Sequence, residues 1–213
     1  MKHINTPSSS RKFKRSIISA ALITITSSFI LPLNAIADDG MAKYNSKNEL
    51  IRPSGFREWI YVGTPLTPND MNNGKAAFPE FHNVYISPDS WKHWKKTGKF
   101  KDGTVIIKEL VSVGSKSAAS GKGYFMGEYL GLEALIKDSK RFSKEVGNWA
   151  FFSFSSPDHK TLASSAKAQP EASCSTCHQA NANDDLVFTK YYPVLRAGKA
   201  TGEKATGGVD SKL

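Results

Sequence analysis

Both cysteines of this 213-residue chain fall in one five-residue motif, Cys174-Ser175-Thr176-Cys177-His178. A disulfide framework is therefore unavailable, and the fold must rest on its hydrophobic core. The spacing itself has a chemistry. Two thiols one helical turn apart can each form a thioether to a porphyrin vinyl group, and the next residue brings an imidazole under the iron. A thioredoxin-like redox pair would lie near a strand-helix-strand pattern early in a domain, and a zinc site would need two further Cys or His ligands nearby. Neither context is present, so the segment reads as covalent attachment of one haem c, with Cys174 and Cys177 as anchors and His178 as the metal ligand.

The first 37 residues read as a secretory signal peptide. Lys2, Arg11, Lys12, Lys14 and Arg15 precede an uncharged, mostly apolar run, and Ala35-Ile36-Ala37 is a small-residue cleavage signal. An uncleaved membrane anchor is the competing reading, weakened by Pro32 and the interspersed Ser and Thr. The formal charge of +10 owes five positive residues to this leader, so the remainder is only mildly basic. No basic stripe of the kind that binds nucleic acid is present. The expected location is the periplasm, with no membrane contact after cleavage.

Residues 38–54 are polar and read as a flexible N-terminal segment. One domain is expected over 55–196, and the Gly- and Lys-rich tail 197–213 reads as disordered. Aromatic and β-branched runs predict strands over 55–64, 81–87, 103–114, 123–137 and 148–156. Residues 65–80 carry turn chemistry throughout, and 114–123 reads as a Ser/Gly/Lys-rich loop. Ser87 as N-cap, Pro88 at the first helical position and Gly98 as the stop predict a helix between them. Trp91 and Trp94 share one face of it, with Lys92, Lys95 and Lys96 on the solvated remainder. Gly127 and Gly131 argue against a helix over 123–137, although 132–137 alone could be helical. A short helix is expected from the haem motif through about Asn183. The fold class is mainly β (α+β): an antiparallel sheet with a few short helices and a C-terminal c-type haem attachment segment.

No Met or His follows His178, so a second axial ligand must come from upstream or be missing. Met41, Met71, His93 and His159 sit in loop, helix-surface or turn sequence. His82 and Met126 lie in strands and are better placed, but packing is the favoured explanation for both. An open distal face is the default, and open faces bind and transform small molecules whereas doubly ligated haems mainly carry electrons. The four-helix-bundle cytochromes c′ share a late motif and an open face, but they need long helices with three-and-four spacing, which this chain lacks. Lys108 stands among Ile106, Ile107, Leu110 and Val111 in the most apolar strand. Lost hydration would favour its neutral, nucleophilic amine. The alternative is a lysine whose ammonium snorkels out along its neighbours.

The blocks FREWIYVGT, FHNVYISPDSW, KTGKFKDGTVIIKEL, GYFMGEYLGLE, KDSKRF, GNWAFFSF and PEASCSTCHQANANDDLVFTKYYPVLR, taken in this order from Phe56 to Arg196, resemble the cytochrome P-460 family, a relative of the beta-sheet cytochromes c′. The resemblance implies an antiparallel sheet, a homodimer, and a five-coordinate haem c held by Cys174, Cys177 and His178. It also implies a bond from the Lys108 side-chain nitrogen to a haem meso carbon. The activity implied is oxidation of hydroxylamine to nitric oxide and nitrous oxide, with a periplasmic cytochrome as electron acceptor. Relatives without the cross-link bind nitric oxide in an apolar, Phe-lined pocket. Such a protein, or a simple electron carrier, is the alternative reading. A catalytic proton acceptor is expected near the iron. Glu171, just before the motif, is the candidate carboxylate, beside Gln169, which cannot take a proton near neutral pH. His82 is the candidate polar contact, at a position where some relatives carry Arg.

Overall fold

A computed structural model describes residues 40–182 and 184–198. Its main feature is a five-stranded antiparallel meander whose spatial order follows chain order: β2 (Ile60–Gly63), β3 (Phe81–Ile86), β4 (Val105–Ala118), β5 (Gly121–Lys137) and β6 (Trp149–Ser153). Helix α1 (Pro88–Thr97) links β3 to β4. Helices α2 (Ser175–Asn181) and α3 (Pro193–Gly198) follow the sheet. A second, two-stranded sheet pairs β1 (Leu50–Ile51) with β7 (Ser165–Ala166). The expected mainly β fold with a few short helices is therefore observed.

Side chains alternate across a strand, so β4 and β5 feed two cores at once. Val105, Ile107, Leu132, Ala134 and Ile136 point to one face, where Leu50, Phe56, Trp59 and Phe152 cover them. Ile106, Leu135 and Phe151 point to the other, beneath Trp94, Phe100, Val187, Tyr192 and Leu195. Burial on both faces explains why the start of β4 reads as a continuous apolar run. Cys174, Leu186 and Phe188 pack against the second core, so the haem-motif segment belongs to that face of the sheet.

Helix α1 follows its sequence signals at both ends. Pro88 opens it, and Gly98 closes it at φ 64°, donating its N–H to the Trp94 carbonyl at 2.7 Å. Ser87 occupies the N-cap position, but its hydroxyl pairs with that of Ser90 at 2.6 Å rather than capping the backbone. Trp94 is fully buried, while Lys92, Lys95 and Lys96 are exposed as expected.

Several expectations are revised. Residues 40–54 are not loose: Leu50 is buried in the first core and pairs with Ala166. The strand expected from residue 55 begins only at Ile60. Gly55 at φ 66° turns the chain into a 3₁₀ turn, Phe56–Glu58, which brings Phe56 and Trp59 into the core. The expected loop 114–123 is the far end of the β4–β5 hairpin, an exposed ribbon whose strands continue to Ala118 and Gly121. Residues 132–137 are strand, not helix. Helix α2 ends at Asn181, and Asn183 lies outside the described residues. Helix α3 reaches into the expected tail as far as Gly198. A side chain there would collide with the Trp91 ring. The expected signal peptide and the tail from residue 199 lie outside the described residues.

Candidate functional site

Three parallel rows of side chains cross the second face of the sheet. Ile86, Ile106, Leu135 and Phe151 form the first row. Val84, Lys108, Glu133 and Ser153 form the next, and His82, Leu110 and Gly131 the third. His178 stands over the first row, its ring edge-on to Phe151 at 4.6 Å and tilted against Phe188 at 4.7 Å.

The orientation of His178 is fixed by a local turn. Asp184 and Val187 form a bridge, and between them Asp185 (φ 49°) and Leu186 (φ 64°) take left-handed conformations that leucine adopts only under constraint. The turn aims the Leu186 carbonyl at His178 Nδ1, 2.7 Å away. A proton on Nδ1, donated to that carbonyl, leaves Nε2 with a lone pair, the state a metal requires. Burial holds the imidazole below its ordinary range. The Lys108 charge acts in the same direction, and both outweigh the opposing hydrogen bond to Leu186. The ring is thus neutral near neutral pH.

Cys174 and Cys177 are both free thiols, the first half-buried and the second exposed at the start of α2. Burial, assisted by the Glu133 carboxylate, pushes the Cys174 thiol up, while Lys108 opposes the shift. Two free thiols one turn apart, an adjacent imidazole with its outer nitrogen available, and a wall of Phe151, Leu186 and Phe188 fit a covalently attached haem. Among the described residues no group of three or more His, Cys, Asp or Glu is gathered as a metal-ion cage. His178 is a lone imidazole of the kind that haem iron takes.

Lys108 lies within electrostatic reach of both Cys174 and His178, and its Nζ pairs with Glu133 Oε2 at 2.6 Å. The two side chains are 26 % and 32 % exposed, so the pair stands at the border between core and solvent. The Phe78 ring covers it, 5.3 Å from Nζ. His82 lies on the same face, with its ring edge-on to Phe78 at 6.0 Å.

Glu171 is not in this group. It is exposed in the 3₁₀ turn Glu171–Ser173, and the carboxylate that accompanies Lys108 is Glu133. Sequence reasoning missed Glu133 although it stands in one of the quoted blocks. The available signal was strand register, because Lys108 and Glu133 are direct cross-strand partners.

The sixth-ligand candidates also separate. Met126 Sδ contacts the Asn83 side chain, on the opposite sheet face from His82. Met41 and Met71 are exposed, and His93 is on α1. His159 bonds the Leu130 carbonyl beside a cavity of about 430 Å³ on the far face, between Arg57, Glu109 and Tyr129. Of the two strand candidates, His82 and Met126, His82 shares the face of His178.

Comparison with curated proteins finds no match. The family model for cytochrome P460 matches residues 53–189, a span that includes the five-stranded sheet, Lys108, Glu133 and the Cys-x-x-Cys-His segment. The chain therefore belongs to the cytochrome P460 family, and its cofactor is covalently bound haem c.

Proposed function

We propose that this protein oxidises hydroxylamine at a haem c anchored by Cys174 and Cys177 and ligated by His178, with Lys108 joined to a porphyrin meso carbon. The observation that carries this reading is the Lys108–Glu133 pair, set on the face of His178 and within electrostatic reach of it. The haem, when bound, supplies an electron sink and an open coordination position for a small nitrogen compound.

The chain's own residues do the rest. His178 offers a neutral ring whose tautomer is set by Leu186. Glu133 provides a carboxylate that can take a proton from the substrate nitrogen or oxygen. Joined to a porphyrin carbon, Lys108 no longer carries an ammonium charge. Glu133 then loses the ammonium it pairs with. The ring of Phe78, itself solvent-exposed, lies against one side of the pair, 5.3 Å from Lys108 Nζ. The leader pattern of residues 1–37 supports export to the periplasm, where a cytochrome would accept the electrons. The homodimer implied by the family resemblance belongs to the same proposal.

A second reading keeps the ion pair. An ammonium 2.6 Å from a carboxylate is paired rather than nucleophilic, and a Lys108 that stayed in this pair after haem attachment would carry no cross-link. That protein would bind nitric oxide rather than turn over hydroxylamine. Lys108→Ala separates the two. If the reduced spectrum changes to that of an ordinary five-coordinate haem c, the lysine was bonded. A variant spectrum identical to the parent's favours the second reading.

A further inference from the structure

On the sheet face opposite His178, the cavity of about 430 Å³ lies between β4, β5 and two loop segments, 52–57 and 159–162. Its charge is one-sided. Arg52, Arg57 and Lys160 line it, and Glu109 is the one carboxylate among its lining residues. Three cations against one carboxylate leave an excess of two positive charges before His159 is counted. Asp158, next to His159 in the chain, accepts from the Ser156 hydroxyl at 2.6 Å and does not line the cavity. Glu109 is buried and already engaged: one oxygen pairs with Arg57, and the other lies 3.4 Å from Asn83 Nδ2. The guanidinium of Arg57 also lies over two rings, 4.7 Å from that of Tyr129 and 5.1 Å from that of Phe56. Arg52 is held too, its Nη1 donating to the Leu162 and Ala163 carbonyls at 2.9 and 3.2 Å.

A buried carboxylate that holds an exposed guanidinium adds little stability over an apolar pair of the same shape. What it does is fix Arg57 at the cavity. Each arginine spends one nitrogen on its protein acceptors, and a guanidinium carries five N–H groups, so both forks keep donors for a ligand. Held forks of this kind match a carboxylate and lose little freedom on binding it. The rest of the wall is apolar, with Phe56, Tyr129, Leu130 and Leu162. An inorganic anion would leave that wall unused, and the volume suits a small organic molecule. We propose that this cavity binds a small organic acid, its carboxylate on Arg57 within the field of Arg52 and Lys160, and its apolar body against Tyr129 and Leu162. Lys108 and Glu133 lie on the other face of the sheet, so this ligand is not the compound that meets the haem. The proposal holds whether or not Lys108 is bonded to the porphyrin.

The test is calorimetric titration of the haem-loaded chain at low salt with three probes. Benzoate carries both features of the proposed ligand, benzamide has its shape without its charge, and inorganic phosphate has charge without an apolar body. Benzoate should saturate one site per chain and bind at least about tenfold more tightly than either of the others. Arg57→Lys keeps a cation for Glu109 but removes the fork, and it should weaken benzoate about tenfold. Lys160→Gln, in an exposed turn, should weaken it about threefold. Absence of saturable benzoate binding, equal affinity for benzamide or phosphate, or parental affinity in Lys160→Gln overturns the proposal. If Arg57→Lys fails to fold, the probe series and Lys160→Gln decide alone. Hydroxylamine turnover takes no part in the readout, so its absence would count against the proposed reaction and leave this site standing.

Discussion

Glu133→Gln separates chemistry from folding at the site. The substitution keeps the shape of the side chain and an oxygen that can accept from Lys108, but it removes the proton acceptor. Two magnitudes then compete. The contact with Lys108 that it weakens is partly solvated, with side chains 26 % and 32 % exposed. Pairs of that kind contribute about 1 kcal/mol or less. For a domain of this size that is a melting shift of roughly 2–4 °C. Loss of a positioned general base slows a reaction by about 10²–10⁴-fold, or roughly 3–5 kcal/mol of barrier. The rate effect should dominate clearly. Steady-state hydroxylamine oxidation, with thermal melting and the Soret spectrum as controls, reads both. The expected result is a fall of at least about a hundredfold with the fold and haem retained. Glu171→Gln, at an exposed turn, should leave the rate within about twofold. A Glu133→Gln protein that turns over at the parental rate would refute the assignment.

Two further outcomes follow from the scaffold. Trp94→Phe keeps the stack on Phe100 at 4.3 Å but deletes the 2.8 Å bond from the indole N–H to the Leu195 carbonyl. It should lower stability by about 1–3 kcal/mol in urea unfolding, and a loss under about 0.5 kcal/mol would show that α3 does not depend on this bond. Burial pushes the phenols of Tyr44 and Tyr192 up to about 12. Their folded values lie above the unfolded one, so stability is fully present below about pH 10 and falls as pH rises beyond it. Tyr192→Phe should blunt that alkaline loss, measured as the pH dependence of the urea midpoint. An unchanged dependence would exclude Tyr192 as its source.

Local signals carried much of this architecture. Pro88 and Gly98 bracket α1, and the β-branched run of β4 sits between two cores because both its faces are apolar. Long-range pairings were not legible. Leu50 and Ile51 are too short a run to read as a strand, and they become one only by meeting Ser165 and Ala166. The β4–β5 ribbon looked like a loop because its Ser, Gly and Lys residues are exposed on both faces, leaving no hydrophobic alternation to read. At the site, Cys174, Cys177 and His178 were visible because the chemistry fixes their spacing. Lys108 stood out as a charge among apolar neighbours. Glu133 required the register of two long strands, and that register contains several irregularities before it can be counted back from the hairpin end. Glu171 was suggested by the family resemblance, which allows a carboxylate shortly before the haem motif, and the structure places it in an exposed turn that adjoins Cys174.

The central claim is a haem c modified through Lys108, and the absorption spectrum of the reduced, purified holoprotein tests it most directly. The account predicts a Soret band displaced far to the red, without the sharp visible bands of an ordinary cytochrome c. A normal five-coordinate c-type spectrum would contradict it, leaving Lys108 as the ion-pair partner of Glu133 and the protein as a binder of nitric oxide.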